Sequence, residues 1–266
     1  MRQSGTQRFR KGGRKLLTQS EIEKKLGNAE LDELLRLWWA EQGAEKRRDL
    51  DLMASAIPFP TDAALRVLDL CCGPGDVGRT IRARYPNSQI DCVDRDIFLI
   101  SMCIGINRRE GVAGETFVRN LMDADWHKGL QAGYDVVATA NAFHWLDAQR
   151  VAHVFQNVFR LLRPSGVFLF VEPACSEKPF AAGFAEWKAR QPARYSRENW
   201  ERLWNRANEI LGYDHTKLLG SGDSHVRVGD SMPVSGWIEL LENAGFESID
   251  TLLRDADEVM LAADKP

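Results

Sequence analysis

The spacing of apolar positions changes character along the chain. Between residues 20 and 55 it is helical: Leu31, Leu34, Leu35 and Trp38 fall at i, i+3, i+4 and i+7, one face of a helix. Ile57-Pro58-Phe59-Pro60 breaks that pattern. From residue 65 short, continuous apolar runs alternate with helical ones. They predict strands over Leu65–Leu70, Ile90–Val93, Thr116–Val118, Tyr134–Thr139 and Val167–Val171, and helices over Val77–Arg84, Ile97–Asn107 and Ala148–Leu162. The last of these helices puts Val151, Val154, Phe155, Val158 and Leu162 on one face and is expected to stop at Arg163-Pro164-Ser165-Gly166. A helix over Trp237–Ala244, closed by Gly245, precedes a final pair of strands, Phe246–Leu253 and Glu258–Ala262.

Continuously apolar strands fit a sheet covered on both faces. Strand–helix alternation with short links implies right-handed crossovers. The predicted fold is therefore α/β: a doubly wound, mostly parallel seven-stranded sheet with helices on both faces. Residues 173–232 interrupt the alternation with a helix that carries Trp200, Leu203, Trp204, Ala207 and Leu211 on one stripe, followed by a polar loop. They are expected to form a cap inserted after the fifth strand. The organisation is read as a disordered basic tail (1–19), an N-terminal helical lid (20–60) and a main domain (61–266). Trp38, Trp39, Trp200 and Trp204 fit core or lid positions better than a recognition surface.

Charge adds one feature. The 266 residues carry 35 Lys and Arg against 38 Asp and Glu, a net charge of -3 that does not suggest nucleic acid as the main partner. The exception is the start, where Arg2, Arg8, Arg10, Lys11, Arg14 and Lys15 precede the first acid, Glu21. That stretch reads as a solvated tail, or as an arm reaching RNA. It has no apolar core of the secretory type, and no apolar window is long enough to span a membrane. Five cysteines without a CxxC pair read as reduced thiols in a cytoplasmic protein, and the five scattered histidines give no metal-ligand spacing, so no metal is expected.

The chemistry is concentrated in Val67-Leu68-Asp69-Leu70-Cys71-Cys72-Gly73-Pro74-Gly75-Asp76-Val77-Gly78. A strand runs into a glycine-rich turn and then a helix, whose first N–H groups are free to meet a ligand. The spacing Gly73-x-Gly75-x-x-Gly78 alone also fits a dinucleotide site. Asp69 before the turn favours a cationic ligand, since a pyrophosphate would gain nothing from it. Asp94 closes the next strand, where a carboxylate can accept from both hydroxyls of a ribose. Asn141-Ala142-Phe143-His144-Trp145 follows the fourth strand, at the edge where open α/β sheets bind ligands.

These segments resemble class I S-adenosylmethionine (SAM) dependent methyltransferases. Asp69–Gly75 is similar to the family's first motif, and Asn141–Trp145 to the corresponding segment of its small-molecule branch. That branch includes ubiquinone/menaquinone-biosynthesis, trans-aconitate and malonyl-carrier-protein methyltransferases. Leu161–Val167, Trp237–Phe246 and Asp257–Pro266 also resemble the family. The resemblance implies SAM as cofactor. Cys71, Gly73 and Gly75 would contact its methionine part, Asp69 would orient that part, and Asp94 would bind the ribose. Asn120 with Leu121 would meet the adenine, with Asp123 as the alternative, and Asn141 would lie near the methionine end. Arg95 stands where the family has an apolar residue and could stack on the adenine ring. Ser165 stands where the family has glycine.

The expected reaction is in-line methyl transfer to a small-molecule acceptor whose attacking atom the sequence does not specify. Because the leaving group is neutral, positioning carries most of the catalysis. A hydroxyl or amine acceptor would need a base, for which His144 is the candidate. Trp38, Phe143, His144 and Trp145 are the expected substrate pocket. Two further possibilities are an RNA methyltransferase recruited through residues 2–15 and a SAM-binding protein of another kind. Nicotinamide redox chemistry conflicts with Asp69.

Overall fold

The computed structural model describes residues 10–11, 14–15, 17–177, 179–190, 196–216, 232–255 and 257–266. Near the start, Arg10–Lys11 (β1) pairs antiparallel with Arg14–Lys15 (β2), inside the stretch expected to lack structure. Ladder pairing uses only the main chain, so basic side chains do not forbid it. The rest of the expected tail lies largely outside the described residues. Helix α1 (Gln19–Lys25) opens at Thr18, whose hydroxyl accepts from the Glu21 N–H while the Glu21 carboxylate accepts from the Thr18 N–H at 2.7 Å. Two free N–H groups are thus satisfied reciprocally.

Helix α2 (Asn28–Ser55) follows. It bends at Gly43, whose φ of 74° lies where a Cβ is disfavoured. The bend divides its duties. Leu31 and Leu34 before it join one apolar cluster, and Leu50, Met53 and Ala54 after it join another that lies against the sheet.

The main domain follows as β3 (Arg66–Leu70), α3 (Asp76–Arg84), β4 (Gln89–Asp94), α4 (Ile97–Glu110), β5 (Thr116–Val118), β6 (Tyr134–Ala140), α5 (Ala148–Leu161) and β7 (Leu162–Pro173). Then come α6 (Ala181–Ala189), α7 (Arg197–Leu211), α8 (Val234–Ala244), β8 (Glu247–Asp255) and β9 (Glu258–Asp264). The seven-stranded sheet has the order β5-β4-β3-β6-β7-β9-β8, parallel except for β9, which runs antiparallel to both its neighbours. Alternate residues serve opposite faces. Phe168 and Phe170 pack with α5 and α8, whereas Val167, Leu169 and Val171 pack with α3, α4 and the end of α2.

Strand β7 is longer than its apolar run. The turn-forming residues Arg163–Gly166, expected to separate helix from strand, lie inside it. Ser165 adopts φ 58° and exchanges main-chain bonds with Lys265: Ser165 N to Lys265 O at 2.7 Å and Lys265 N to Gly166 O at 2.9 Å. The ladder shifts register between Tyr134 and Val136, so an irregularity absorbs the turn residues without ending the strand.

The chain after β7 returns to its point of departure. Cys175 and Pro233 form an isolated bridge, and the Cys175 N–H reaches the Met232 carbonyl at 3.0 Å. In the intervening segment α7 buries Leu203, Trp204, Ala207 and Leu211 against Ile22, Leu31 and Leu34 of the N-terminal helices and Phe98, Met102 and Ile106 of α4. Trp200, on the predicted stripe, is 41% exposed. The N-terminal helices and α7 therefore share one apolar core. Among the described residues no helix is long and apolar enough to cross a membrane.

Candidate functional site

The carboxyl ends of β3, β4, β6 and β7 carry the candidate residues. After Leu70 the backbone turns through left-handed conformations at Cys71 (φ 56°), Gly73 (φ 53°) and Gly75 (φ 89°), the last of which opens α3. At Cys71 the strain falls on a residue that has a Cβ, the kind of feature that functional turns retain. Two ties fix the turn to β4. The Cys72 N–H donates to the Val93 carbonyl at 3.0 Å, and the Gly73 N–H donates to Asp94 Oδ2 at 2.8 Å. The other Asp94 oxygen accepts from the Asp96 N–H at 2.8 Å. Burial pushes the Asp94 carboxyl up to about 6.

Asp69 lies behind this turn. It is wholly buried, and its Oδ2 accepts from the Gly78 N–H in the first turn of α3 at 2.8 Å. Desolvation holds its carboxyl well above the ordinary range. Glycine is required at residue 78, because a Cβ there would lie 2.6 Å from Ile90 Cγ2 and 3.0 Å from Asp69 Oδ2. Asp69 therefore holds the turn to the start of α3 through Oδ2, while its buried Oδ1 has no hydrogen-bond partner among the described residues.

Helix α2 crosses above. The Trp38 ring would lie 3.6 Å from a Cβ built on Gly73, and its indole N–H donates to Asp76 Oδ2. Asp76 also pairs with Arg79 at 2.5 Å. Trp38, expected in the substrate pocket, thus covers the glycine turn. One turn past the Gly43 bend, Lys46 is buried, and among the described residues its Nζ has no hydrogen-bond partner. Burial lowers this lysine's pKa, opposed by the charges of Glu258, Glu172, Asp76 and Asp49.

The loop after β6 is organised by Glu172 at the end of β7. This fully buried carboxylate accepts from the N–H groups of Ala142 (2.6 Å), Phe143 (2.7 Å) and His144 (3.1 Å), and from His144 Nδ1 at 3.0 Å. With Nδ1–H donating to the carboxylate, Nε2 of the neutral ring is left as the acceptor. Asn141 is left-handed (φ 57°), and its N–H bonds the Val171 carbonyl at 2.9 Å. Trp145 is 54% exposed. Phe143 corrects the expectation of a pocket residue: it is wholly buried among Phe155, Phe168, Phe170 and Trp237. It faces inward because the Glu172 bonds turn this loop into a short 3-10 helix.

The remaining candidates cluster beyond β4 and β5. The Arg119 N–H donates to the Asp94 carbonyl at 2.8 Å, which brings the following turn alongside the acid. In that turn Asn120 Oδ1 accepts from the Met122 N–H at 3.1 Å, Leu121 is buried and Asp123 is exposed. Arg95 is exposed beside Asp94. Asp96 caps α4 and bonds His215 Nε2 at 2.8 Å, where His215 stacks on Trp204. The inserted segment is thereby fastened two residues from Asp94.

Sequence reasoning missed Lys46, Asp76, Asp96, Glu172 and His215. Glu172 had a visible signal, an acid closing an apolar strand as Asp94 does. Lys46 and His215 acquire meaning from parts of the chain distant in sequence, whereas Asp96 and Asp76 also make local contacts, as the cap of α4 and as the partner of Arg79.

Residues 67–166 match the family model for a methyltransferase domain. A malonyl-[acyl-carrier protein] O-methyltransferase of Bacillus cereus is 32% identical over 112 residues, 42% of this chain and 39% of that protein. A trans-aconitate 2-methyltransferase of Rhodopseudomonas palustris is 27% identical over 163 residues, 59% of each chain. The chain thus spans roughly two-fifths to three-fifths of the length of these relatives. Among solved structures, an O-methyltransferase family protein from Burkholderia thailandensis superposes with a TM-score of 0.55 at 18% identity, covering 90% of this chain and 59% of that one. The fold is shared with it.

Proposed function

We propose that this chain, whose residues 67–166 form a methyltransferase domain, transfers a methyl group from SAM to a small-molecule acceptor. The observation that carries the reading is the clamp between the glycine turn and Asp94, set beneath Trp38. The donor set fits SAM. Asp94 spends one lone pair of each oxygen on backbone N–H groups, and a carboxylate has about four acceptor sites, so capacity remains for a ribose diol. The N–H groups of Cys72, Gly73 and Gly75 are used within the protein, so an amino-acid carboxylate would look to the first N–H groups of α3.

When bound, SAM supplies an electrophilic methyl group on a sulfonium whose departure as a thioether needs no acid. The protein's own part is orientation. The Cys71–Gly75 turn and Asp94 fix one reactant, and the Asn141–Trp145 loop on Glu172 faces the other. Such positioning is worth up to about 7–11 kcal/mol. For a hydroxyl or amine acceptor, His144 Nε2 receives the proton, with Glu172 setting the tautomer and offsetting the imidazolium charge. Helices α2 and α7 close over the edge and exclude water. The free cysteines support a reducing, cytosolic setting.

Isothermal titration with SAM and with its demethylated product tests the reading. Both are expected to bind at micromolar levels, and Asp94→Ala is expected to abolish binding. A radiolabelled-methyl screen of carboxylates, phenols, amines and tRNA then identifies the acceptor. Failure of both nucleosides to bind folded protein would overturn the proposal, and transfer to tRNA alone would replace the small-molecule acceptor with RNA.

A further inference from the structure

Three cysteines distant in the sequence meet directly beneath the glycine turn. Cys72 comes from the turn itself, Cys92 from β4 and Cys103 from α4. Their sulfur atoms all lie within 4.8 Å of one another, and all three residues are buried. The Asn107 side chain approaches two of them, with Nδ2 3.5 Å from Cys103 Sγ and 3.8 Å from Cys92 Sγ. Gly75 closes the group from above, since a Cβ there would lie 2.9 Å from Cys103 Sγ.

We propose that Cys72, Cys92 and Cys103 form a binding site for one soft divalent cation of the zinc–cadmium class, which clamps the glycine turn to β4 and α4. Thiolate donors select soft metals. A tetrahedral ion with metal–sulfur bonds near 2.3 Å needs sulfurs about 3.8 Å apart. A triad already inside 4.8 Å reaches that by rotamer adjustments and shifts below 1 Å. A closed structural site takes a fourth donor. A half-turn of the Asn107 carboxamide, whose Nδ2 now faces two of the sulfurs, presents Oδ1 to the same point. Binding leaves all three sulfurs as thiolates and releases the protons that they still hold, with no change of oxidation state. Spacing along the chain could not reveal this site, because its ligands share no CxxC or comparable motif and sit on three separate elements.

The test is titration of the reduced full-length protein with cadmium ion alone, followed by its ultraviolet sulfur-to-metal charge-transfer band. One equivalent is expected to saturate the band at an amplitude matching three Cd–S bonds, with protons released in weak buffer. Cys92→Ala and Cys103→Ala are expected to lose the one-equivalent endpoint and any metal-induced rise in melting temperature. Cys175→Ser keeps both. A wild-type band that is absent, or that reports fewer than three bonds, overturns the proposal even if the variants fold poorly. So does a band that survives both alanine variants. None of these readouts depends on SAM binding or methyl transfer.

Discussion

The floor of this site and its cover are held by different forces. The floor, formed by the Cys71–Gly78 turn and the Asn141–Trp145 loop, hangs on buried carboxylates that accept main-chain N–H groups: Asp69 from Gly78, Asp94 from Gly73 and Asp96, and Glu172 from three successive residues. The cover, formed by α1, the first half of α2, and α7, is held mainly by one apolar cluster, with side-chain ties that include Trp38 to Asp76, His215 to Asp96, Arg108 to Glu23 and Arg109 to Asp32. Hydrogen bonds to buried main chain are directional and fix positions to fractions of an ångström. Apolar contact is non-directional and tolerates sliding. The floor is thus positioned more sharply than the cover.

The sharpest way to break this contrast is to remove a floor acid. Glu172→Ala leaves three N–H groups without their acceptor in a buried loop, and the expected loss of stability is about 3–5 kcal/mol. A denaturant-unfolding midpoint checks it. A loss below about 1 kcal/mol would mean that Phe143 packing alone holds the loop. The equivalent cut in the cover is Leu203→Ala, where a fully buried leucine leaves a cavity costing about 2–5 kcal/mol. Here the difference lies in where the loss is felt. Amide exchange is expected to accelerate in α1 and α7 while β3 and β4 stay protected. Equal acceleration in the strands would make floor and cover one cooperative unit.

Much of this was legible in the sequence. The floor reads well because its acids and glycines are local: the strand that ends in Asp69–Gly75, and Asp94 closing the next. Short-range pattern also found α7 and its buried stripe. What escaped depends on tertiary pairing. Phe143 looked available because it sits in a polar loop, yet three bonds to Glu172, a residue 29 positions later, turn it into the core. Lys46 carried no local signal at all, since its meaning comes from burial beneath the bend at Gly43. Turn-forming residues misled once, at Arg163–Gly166, where pairing to the chain's last strand overrode them.

Acidity offers a smaller, reversible perturbation of the floor. Burial raises Asp94 to about 6, so the folded state holds its proton more tightly than the unfolded chain does. Two consequences of opposite sign follow. Without ligand, this group's contribution to stability is most favourable below about pH 4 and is lost as pH rises through 6. The ribose, by contrast, needs the ionised form, so affinity for the demethylated product rises across the same interval. At pH 5 about one-tenth of Asp94 is ionised, which predicts roughly tenfold weaker binding than at pH 7.5. Titrations at the two pH values check this, and Asp94→Asn should flatten the difference. A profile that persists in Asp94→Asn would assign the effect to another group.

The smallest expected effect compares strain at the two ends of the sheet. Four described residues other than glycine have left-handed φ: Ser248 at 44°, and three at nearly the same angle, Cys71 (56°) and Asn141 (57°) in the floor and Ser165 (58°) at the amino-terminal end of β7. Such a conformation costs a residue with a Cβ about 1–2 kcal/mol, partly offset in glycine by its greater freedom when unfolded. In the floor that strain accompanies a turn shaped to approach a ligand. At Ser165 it serves only the junction with Lys265, on the far side of the sheet. Ser165→Gly is therefore expected to raise stability by about 0.5–1 kcal/mol, seen as a melting point about 1–3 °C higher, and to leave nucleoside affinity unchanged. Cys71→Gly relieves the same strain and is expected to alter that affinity, because its side chain stands at the turn itself. If Ser165→Gly lowers the melting point instead, the serine side chain contributes more than its backbone angle costs, and left-handed strain could not be used to distinguish the functional edge of this sheet from the opposite one.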